Sequence, residues 1–177
     1  MRYSKVAPAV LALCVVLVAN PALAQQPPSS ASPTPPTPAP LAVNLQLTLG
    51  AWNAFRAGNT EQAIAEADQC IGRFRDFADR IESNLNAEKV TLPKGKASLA
   101  DKTLVDQYEV LHNVARCFLI KGMAEQKLGH QEAAREAYAA ATKYKHARIH
   151  EPATDSLWPP AEKAAERLAD LKDAPAK

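Results

Sequence analysis

Two histidines near the carboxyl end, His146 and His150, are spaced so that one helix face would present both imidazoles. Imidazole is a common ligand for zinc and related metals, so the pair raises the question of a metal site. A site needs further ligands, and the acid beside the pair is Glu151. Ala147 stands where His-Glu-x-x-His peptidases carry their catalytic glutamate. We therefore predict no metal site and interpret this segment as a solvated, basic helix end.

Other catalytic signatures are not found in the sequence. It has no Gly-x-Ser-x-Gly nucleophile elbow, no glycine-rich phosphate loop and no paired His–Cys nucleophile. It also has no Cys-x-x-Cys motif of the kind that supports thiol redox chemistry. Acidic residues lie three or four positions from basic ones, as Glu132 does from Arg135, and such pairs mainly favour solubility. We predict a protein that is not an enzyme and uses no cofactor.

Residues 1–24 have the features of a secretory signal peptide. Arg2 and Lys5 precede an apolar run that is too short to span a bilayer permanently, and residues 22–24 read Ala-Leu-Ala, a cleavage motif. We predict cleavage after Ala24, a periplasmic or secreted location, and no stable membrane insertion.

A proline-rich segment follows, with seven of the chain's 14 prolines in residues 27–40. Proline lacks the amide donor that helices and sheets need and favours extended polyproline II. We predict that residues 25–40 are a disordered linker acting as a spacer. The alternative, a ligand for a proline-binding domain, is less favoured because no basic anchor flanks the prolines.

The charge balance argues against nucleic-acid binding. The chain has 21 basic and 19 acidic residues, and removing residues 1–24 takes away two bases and no acid. The remaining charges are therefore balanced, and they are interleaved along the chain. A nucleic-acid-binding domain usually has a clustered basic surface, so we predict no such partner.

Helical periodicity dominates after Pro40, and no alternating run of strand length occurs. We predict an all-α domain over residues 41–172, followed by a disordered tail at 173–177. The five expected helices cover about 41–57, 60–85, 98–128, 131–147 and 160–172, with an exposed lysine-rich loop at 86–97. Gly58 and Gly129 are expected to end helices in the left-handed conformation, and Ser98 with Asp101 resembles a capping box.

The segment Gly58–Ile64 resembles the turn of a tetratricopeptide repeat (TPR), a helix pair of roughly 34 residues. A second copy runs from Gly122-Met123-Ala124 through residues 127–134, with Tyr138 and Ala141 after it. The resemblance implies two antiparallel helix hairpins in which small residues accept large ones. This chain departs from the family because its turn glycines lie much more than one repeat apart and no proline closes either copy.

The resemblance also implies a groove lined by the first helix of each pair. The positions that match are Leu45, Thr48, Trp52, Phe55 and Arg56 in the first copy, and Arg116, Leu119, Met123, Gln126 and Lys127 in the second. As candidate partner-binding residues we take Trp52, Phe55, Arg56, Leu119, Met123 and Lys127. The favoured alternative for Trp52, Phe55 and Met123 is the core of so short an array, since large apolar residues are most often inside.

Cys70 and Cys117 are the cysteines that remain after the predicted cleavage, since Cys14 leaves with the signal peptide. In a repeat-like stack their helices would be neighbours, and an exported protein favours a disulfide. The alternative is two buried free thiols that pack as small apolar side chains.

Together these features predict a non-catalytic scaffold or adaptor that binds a protein or peptide partner in the cell envelope. The alternatives are a small-ligand or metal-binding domain, and a subunit that folds only within a complex. A cavity of about 300 Å³ or more lined by Trp52 and Met123 would favour a small ligand. An open apolar groove would favour a protein partner. The sequence indicates neither the partner nor the oligomeric state.

Overall fold

The computed structural model describes residues 42–173, which form six helices and a small sheet. The helices are α1 (Val43–Arg56), α2 (Thr60–Ala87), α3 (Leu99–Asp106), α4 (Glu109–Leu128), α5 (Gln131–Ala141) and α6 (Pro160–Asp173). The strands are β1 (Gly95–Lys96), β2 (Ile149–Glu151) and β3 (Ser156–Trp158), in the antiparallel order β1-β3-β2. Helix predominates, so the predicted all-α class is confirmed. Among residues 42–173, no helix combines the length and the apolar composition that spanning a membrane requires.

Several sequence predictions fall on residues that the structure does not describe. The signal peptide at 1–24 and the linker at 25–40 lie outside the described residues, as do Leu41 and residues 174–177 of the predicted tail. Asp173, which we assigned to that tail, is instead the last residue of α6.

Two glycines close the helical hairpins as expected. Gly58 follows α1 with φ of 85° and Gly129 follows α4 with φ of 82°, a backbone conformation that side chains with a Cβ rarely adopt. The predicted capping box is also present. The Ser98 hydroxyl accepts a hydrogen bond from the amide of Asp101, and the Asp101 carboxylate accepts one from the amide of Ser98.

The two hairpins, α1–α2 and α4–α5, pack against each other mainly through α2 and α4, and α1 also contacts α4. Small residues permit the close approach inside the second hairpin. A Cβ added at Gly122 would lie 2.5 Å from ring atoms of Tyr138, which is fully buried. The core between the hairpins is built from large apolar side chains such as Leu111, Val114 and Ile120.

The third and fourth predicted helices are shorter than expected. The helix predicted over 98–128 is divided between α3 and α4 at Gln107 and Tyr108. There the carbonyl of Val105 accepts hydrogen bonds from the amide of Tyr108 and from Nε2 of His112. Because of this division, six helices replace the predicted five. The helix predicted over 131–147 ends at Ala141.

The early end of α5 has a tertiary cause. The buried carboxylate of Glu82 on α2 accepts hydrogen bonds from the amides of Lys145 and His146, at 3.1 and 3.2 Å. These amides would otherwise bond carbonyls one turn back in a continuing helix. A contact with a residue distant in sequence thus overrides the local helical preference.

The sheet is a second difference from the prediction. Its strands have two or three residues, too few to show an alternating pattern. The loop at 86–97, which we expected to be exposed, buries Leu92 and Ala97. Arg148 anchors this loop by donating to the carbonyls of Leu92 and Pro93, each at 2.9 Å. The sheet and the anchored loop form a cover beside the helical hairpins.

Candidate functional site

A cavity of about 540 Å³ lies between helices α1 and α4 and the β2–β3 hairpin. One face of α1 contributes Leu49, Trp52 and Arg56. One face of α4 contributes Arg116, Leu119, Ile120 and Met123. The hairpin and α6 close the other side with Ile149, His150, Glu151, Pro152, Trp158 and Lys163. The residues on each helix recur at intervals of three and four, which places them on a single helix face.

A shallower depression of about 260 Å³ adjoins the cavity, because Met123 lines both. Its other lining residues are Phe55, Gln126, Lys127 and Arg167. The Lys127 ammonium lies 5.8 Å from the centre of the Phe55 ring. Trp52 and Phe55 stack with ring centres 6.1 Å apart, so their rings connect the two spaces.

The predicted groove residues therefore divide into two groups. Trp52, Arg56, Leu119 and Met123 line the cavity, whereas Phe55 and Lys127 line the depression. Trp52, Phe55 and Met123 are partly buried against the core while they line these spaces, so the two alternatives for them are not exclusive.

One residue of the wider groove assignment is misplaced. Thr48 is fully buried, with its hydroxyl 3.2 Å from Sγ of Cys117, so it belongs to the core between the helices. The residue lies one turn before Trp52 on α1, but it faces inward.

The hairpin residues of the cavity were not anticipated from the sequence. His150 was assigned to a helix end, and Trp158 was not among the candidate site residues. The structure places Trp158 on β3 and His150 on β2, where both line the cavity. Strands of three residues are too short to show an alternating pattern, so no local signal predicts this side of the cavity.

Arg116 is the most distinctive polar residue of the cavity. Its guanidinium lies 5.3 Å from the centre of the Trp52 ring, which is the geometry of a cation–π contact. Burial lowers the pKa of Arg116, and the nearby Glu151 acts in the opposite direction. The group makes no hydrogen bond or ion pair with any residue in the described range 42–173.

The other charged groups of the cavity mostly have partners. Lys163 forms an ion pair with Glu166 at 2.7 Å, and His150 bonds to Asp155 at 2.9 Å. Glu151 accepts a hydrogen bond from the amide of Ala153. The lining includes three cations, Arg56, Arg116 and Lys163, and one carboxylate, that of Glu151, so it has an excess of positive charge.

Cys70 on α2 and Cys117 on α4 are joined as a disulfide, with their Cα atoms 6.5 Å apart. Both residues are fully buried, on the core side of the two helices. The disulfide thus links the first hairpin to the second.

The two histidines considered for metal binding do not share a helix face. His146 lies in the turn after α5, where its Nδ1 faces the Glu82 carboxylate and its Nε2 faces the carbonyl of Val90. His150 lies on β2. Our interpretation of this segment as a basic helix end is wrong, because the chain has already left the helix. Residues 42–173 contain no group of three or more His, Cys, Asp or Glu side chains that could hold a metal ion.

Comparison of the chain with protein families, with curated proteins and with solved structures finds no match.

Proposed function

We propose that this protein is a non-catalytic binding protein of the bacterial cell envelope that holds a small ligand in the cavity between α1, α4 and the β2–β3 hairpin. In this proposal residues 1–24 direct export to the periplasm and residues 25–40 are a spacer. The helices form a TPR-like pair of hairpins whose groove is covered by the hairpin strands.

The observation that carries the proposal is the cavity itself. Its volume of about 540 Å³ exceeds the 300 Å³ that we set as favouring a small ligand, and Trp52 and Met123 line it. Small-molecule sites are typically concave, mostly apolar and supplied with a few polar groups. The lining fits this description, since the apolar side chains of Leu49, Leu119 and Trp158 line the cavity together with the charged group of Arg116.

The charge of the lining favours an anionic ligand. Arg56 and Arg116 line the cavity without an ion-pair partner among residues 42–173, whereas Lys163 is paired with Glu166. Guanidinium groups bind anions through charge-assisted hydrogen bonds.

The adaptor function remains a second candidate because of the adjoining depression. It presents Phe55, Gln126, Lys127 and Arg167 on the part of the groove not covered by the hairpin. A peptide side chain could occupy this depression, with the rest of the peptide lying along the helices.

Both tryptophans of the chain line the cavity, so nuclear magnetic resonance of their indole N–H groups tests the proposal directly. We expect a cavity ligand from a library of small compounds to shift both indole signals, with Trp158→Phe used to assign them. Amide signals near Gly72 on the far part of α2 should not move. If no compound shifts either indole signal, the small-ligand proposal is wrong.

A photo-crosslinker at position 127 tests the adaptor candidate in the native compartment, with position 73 on the exposed face of α2 as the matched control. The adaptor predicts one reproducible envelope protein attached at position 127 and none at position 73. Equal labelling at both positions would contradict it.

A further inference from the structure

The cavity contains a guanidinium whose hydrogen-bond donors are not used by the protein. Arg116 carries five N–H donors and no acceptor, and it keeps its charge in a protein. Burial removes part of its hydration, yet its electrostatic interactions within residues 42–173 are a cation–π contact with Trp52 and the attraction of Glu151. A partly desolvated cation of this kind is costly unless an anion or acceptor joins it.

Arg148, which is buried, shows how an arginine with a structural role uses its donors. Arg148 donates to four backbone carbonyls at 2.8 to 2.9 Å, those of Leu92, Pro93, Lys145 and Ala147. Its donors are used in anchoring the loop at 86–97. Arg116 has no such set of acceptors, so its donors remain available to a molecule in the cavity.

The rest of the lining defines the other end of that molecule. Trp52, Trp158, Leu49 and Met123 offer aromatic and aliphatic surface. Arg56, which has no ion-pair partner among the described residues, adds a second cation to the lining. Glu151 lies in the same lining and would repel a ligand that carries several negative charges.

We propose that the ligand of the cavity is an organic monoanion, a carboxylate with an apolar body, whose charged end binds Arg116 with help from Arg56 and whose body packs between Trp52 and Trp158. This inference rests on the proposed small-ligand function and specifies its chemistry. Planar carboxylates match the guanidinium fork with two parallel hydrogen bonds, which a neutral ligand cannot reproduce. The apolar body could be an alkyl chain or an aromatic ring system, and both share this chemistry.

Isothermal titration calorimetry with two matched pairs of probes tests the inference on the purified oxidised protein. The first pair is decanoate and decanol, and the second is 1-naphthaleneacetate and 1-naphthaleneacetamide. We expect at least one carboxylate to bind about tenfold or more tightly than its neutral partner, because the charge-assisted bonds form only with the anion. The pair with the larger difference identifies the body as a chain or a ring.

Variants then connect the preference to Arg116. R116Q should remove most of the difference between carboxylate and neutral probe, because it weakens binding of the carboxylate much more than binding of the neutral probe. R56Q should reduce the difference less. R73Q, an exposed arginine on α2, is the matched control and should change neither affinity. Neutral-probe binding by R116Q also shows that the variant is folded.

The possible results separate the inference from the function on which it rests. If neutral and anionic probes bind equally, or if R116Q keeps the preference, the monoanion inference is wrong while a cavity ligand stands. If none of the four probes binds, this inference fails. The function itself fails only if the indole signals also stay unmoved by the wider compound library.

Discussion

At the scale of single residues, a substitution at Gly122 tests whether α4 and α5 need their close approach. A Cβ at this position would meet the ring of Tyr138 at 2.5 Å, and Tyr138 is held by full burial and by its hydrogen bond to Gln126. We expect Gly122→Ala to lower the free energy of unfolding by about 1–3 kcal/mol, because the ring cannot move without disturbing the core. Urea denaturation followed by circular dichroism measures the change.

Gly72 supplies the matched control for this substitution. It lies inside α2, and a Cβ there would meet nothing within 4 Å. Gly72→Ala should therefore raise stability by up to about 1 kcal/mol, since alanine favours helix over glycine. Equal effects of the two substitutions would mean that the α4–α5 contact is looser than the structure indicates.

His112 makes the stability of the fold depend on pH. Burial is the main reason that its pKa falls to about 4, and the neutral ring donates to the carbonyl of Val105 and accepts from the amide of Arg148. Between pH 6.5 and 4 the unfolded chain binds this proton and the folded chain does not, so stability falls as the pH falls. The shift corresponds to a loss of up to about 3 kcal/mol by pH 4.

Comparing wild type with His112→Gln isolates this residue from the other titrating groups. We expect the variant to be less stable than wild type near pH 7 but to lose less stability between pH 6.5 and 4. Urea midpoints at several pH values measure both slopes. Parallel slopes would show that His112 is protonated equally in the two states.

At the scale of the elements, sequence periodicity predicted the long helices but not the positions where tertiary contacts end them. The stripe of α2 and the turn glycines Gly58 and Gly129 are local signals, and the helices follow them. The end of α5 depends on Glu82, and the break before α4 is marked by the bond from His112 to Val105. Such partners are distant in sequence or fixed by packing, so a pattern read along the chain does not contain them.

The cavity also has sides that the sequence predicts and a side that it does not. The α1 and α4 sides of the cavity follow from helical spacing, since Trp52 and Arg56 share one helix face and Arg116 and Met123 share another. The third side is a hairpin of three-residue strands held through Arg148 and its backbone acceptors. The sequence therefore indicated an open groove, whereas in the structure the β2–β3 hairpin covers part of that groove and encloses a cavity.

The disulfide between α2 and α4 should leave no free thiol and should stabilise the packing of these two helices. We expect thiol counting under denaturing, non-reducing conditions to find no free thiol at Cys70 or Cys117. The cross-link spans 47 residues, and closing such a loop in the unfolded chain stabilises the fold by about 4 kcal/mol in the chain-entropy model. The double variant C70A/C117A should lose about this amount in urea.

Reduced wild-type protein is the control for that variant, because it lacks the cross-link but keeps both side chains in the core. Two titratable thiols in the untreated protein would contradict the pairing. Equal stability of oxidised and reduced protein would show that the disulfide adds nothing beyond packing.

At the scale of the whole molecule, the packing of the two hairpins determines whether they unfold together. Long repeat arrays can lose cooperativity because each unit contacts only its neighbours. Here α4 packs against both α1 and α2, and the disulfide adds a covalent link, so neither hairpin has a core of its own. We therefore expect residues 42–173 to unfold in one step.

A perturbation in one hairpin, reported by a probe in the other, tests this expectation. In a Trp158→Phe background the remaining tryptophan is Trp52 on α1, so its fluorescence follows the first hairpin. Gly122→Ala weakens the second hairpin, where its Cβ meets Tyr138. If the hairpins unfold together, the substitution lowers the fluorescence midpoint as much as the circular dichroism midpoint, as two-state unfolding requires. A fluorescence midpoint that stays in place while the circular dichroism midpoint shifts would mean that α1 and α2 remain folded without α5. The α1 side of the cavity, which carries Trp52, would then be stable without the second helical hairpin.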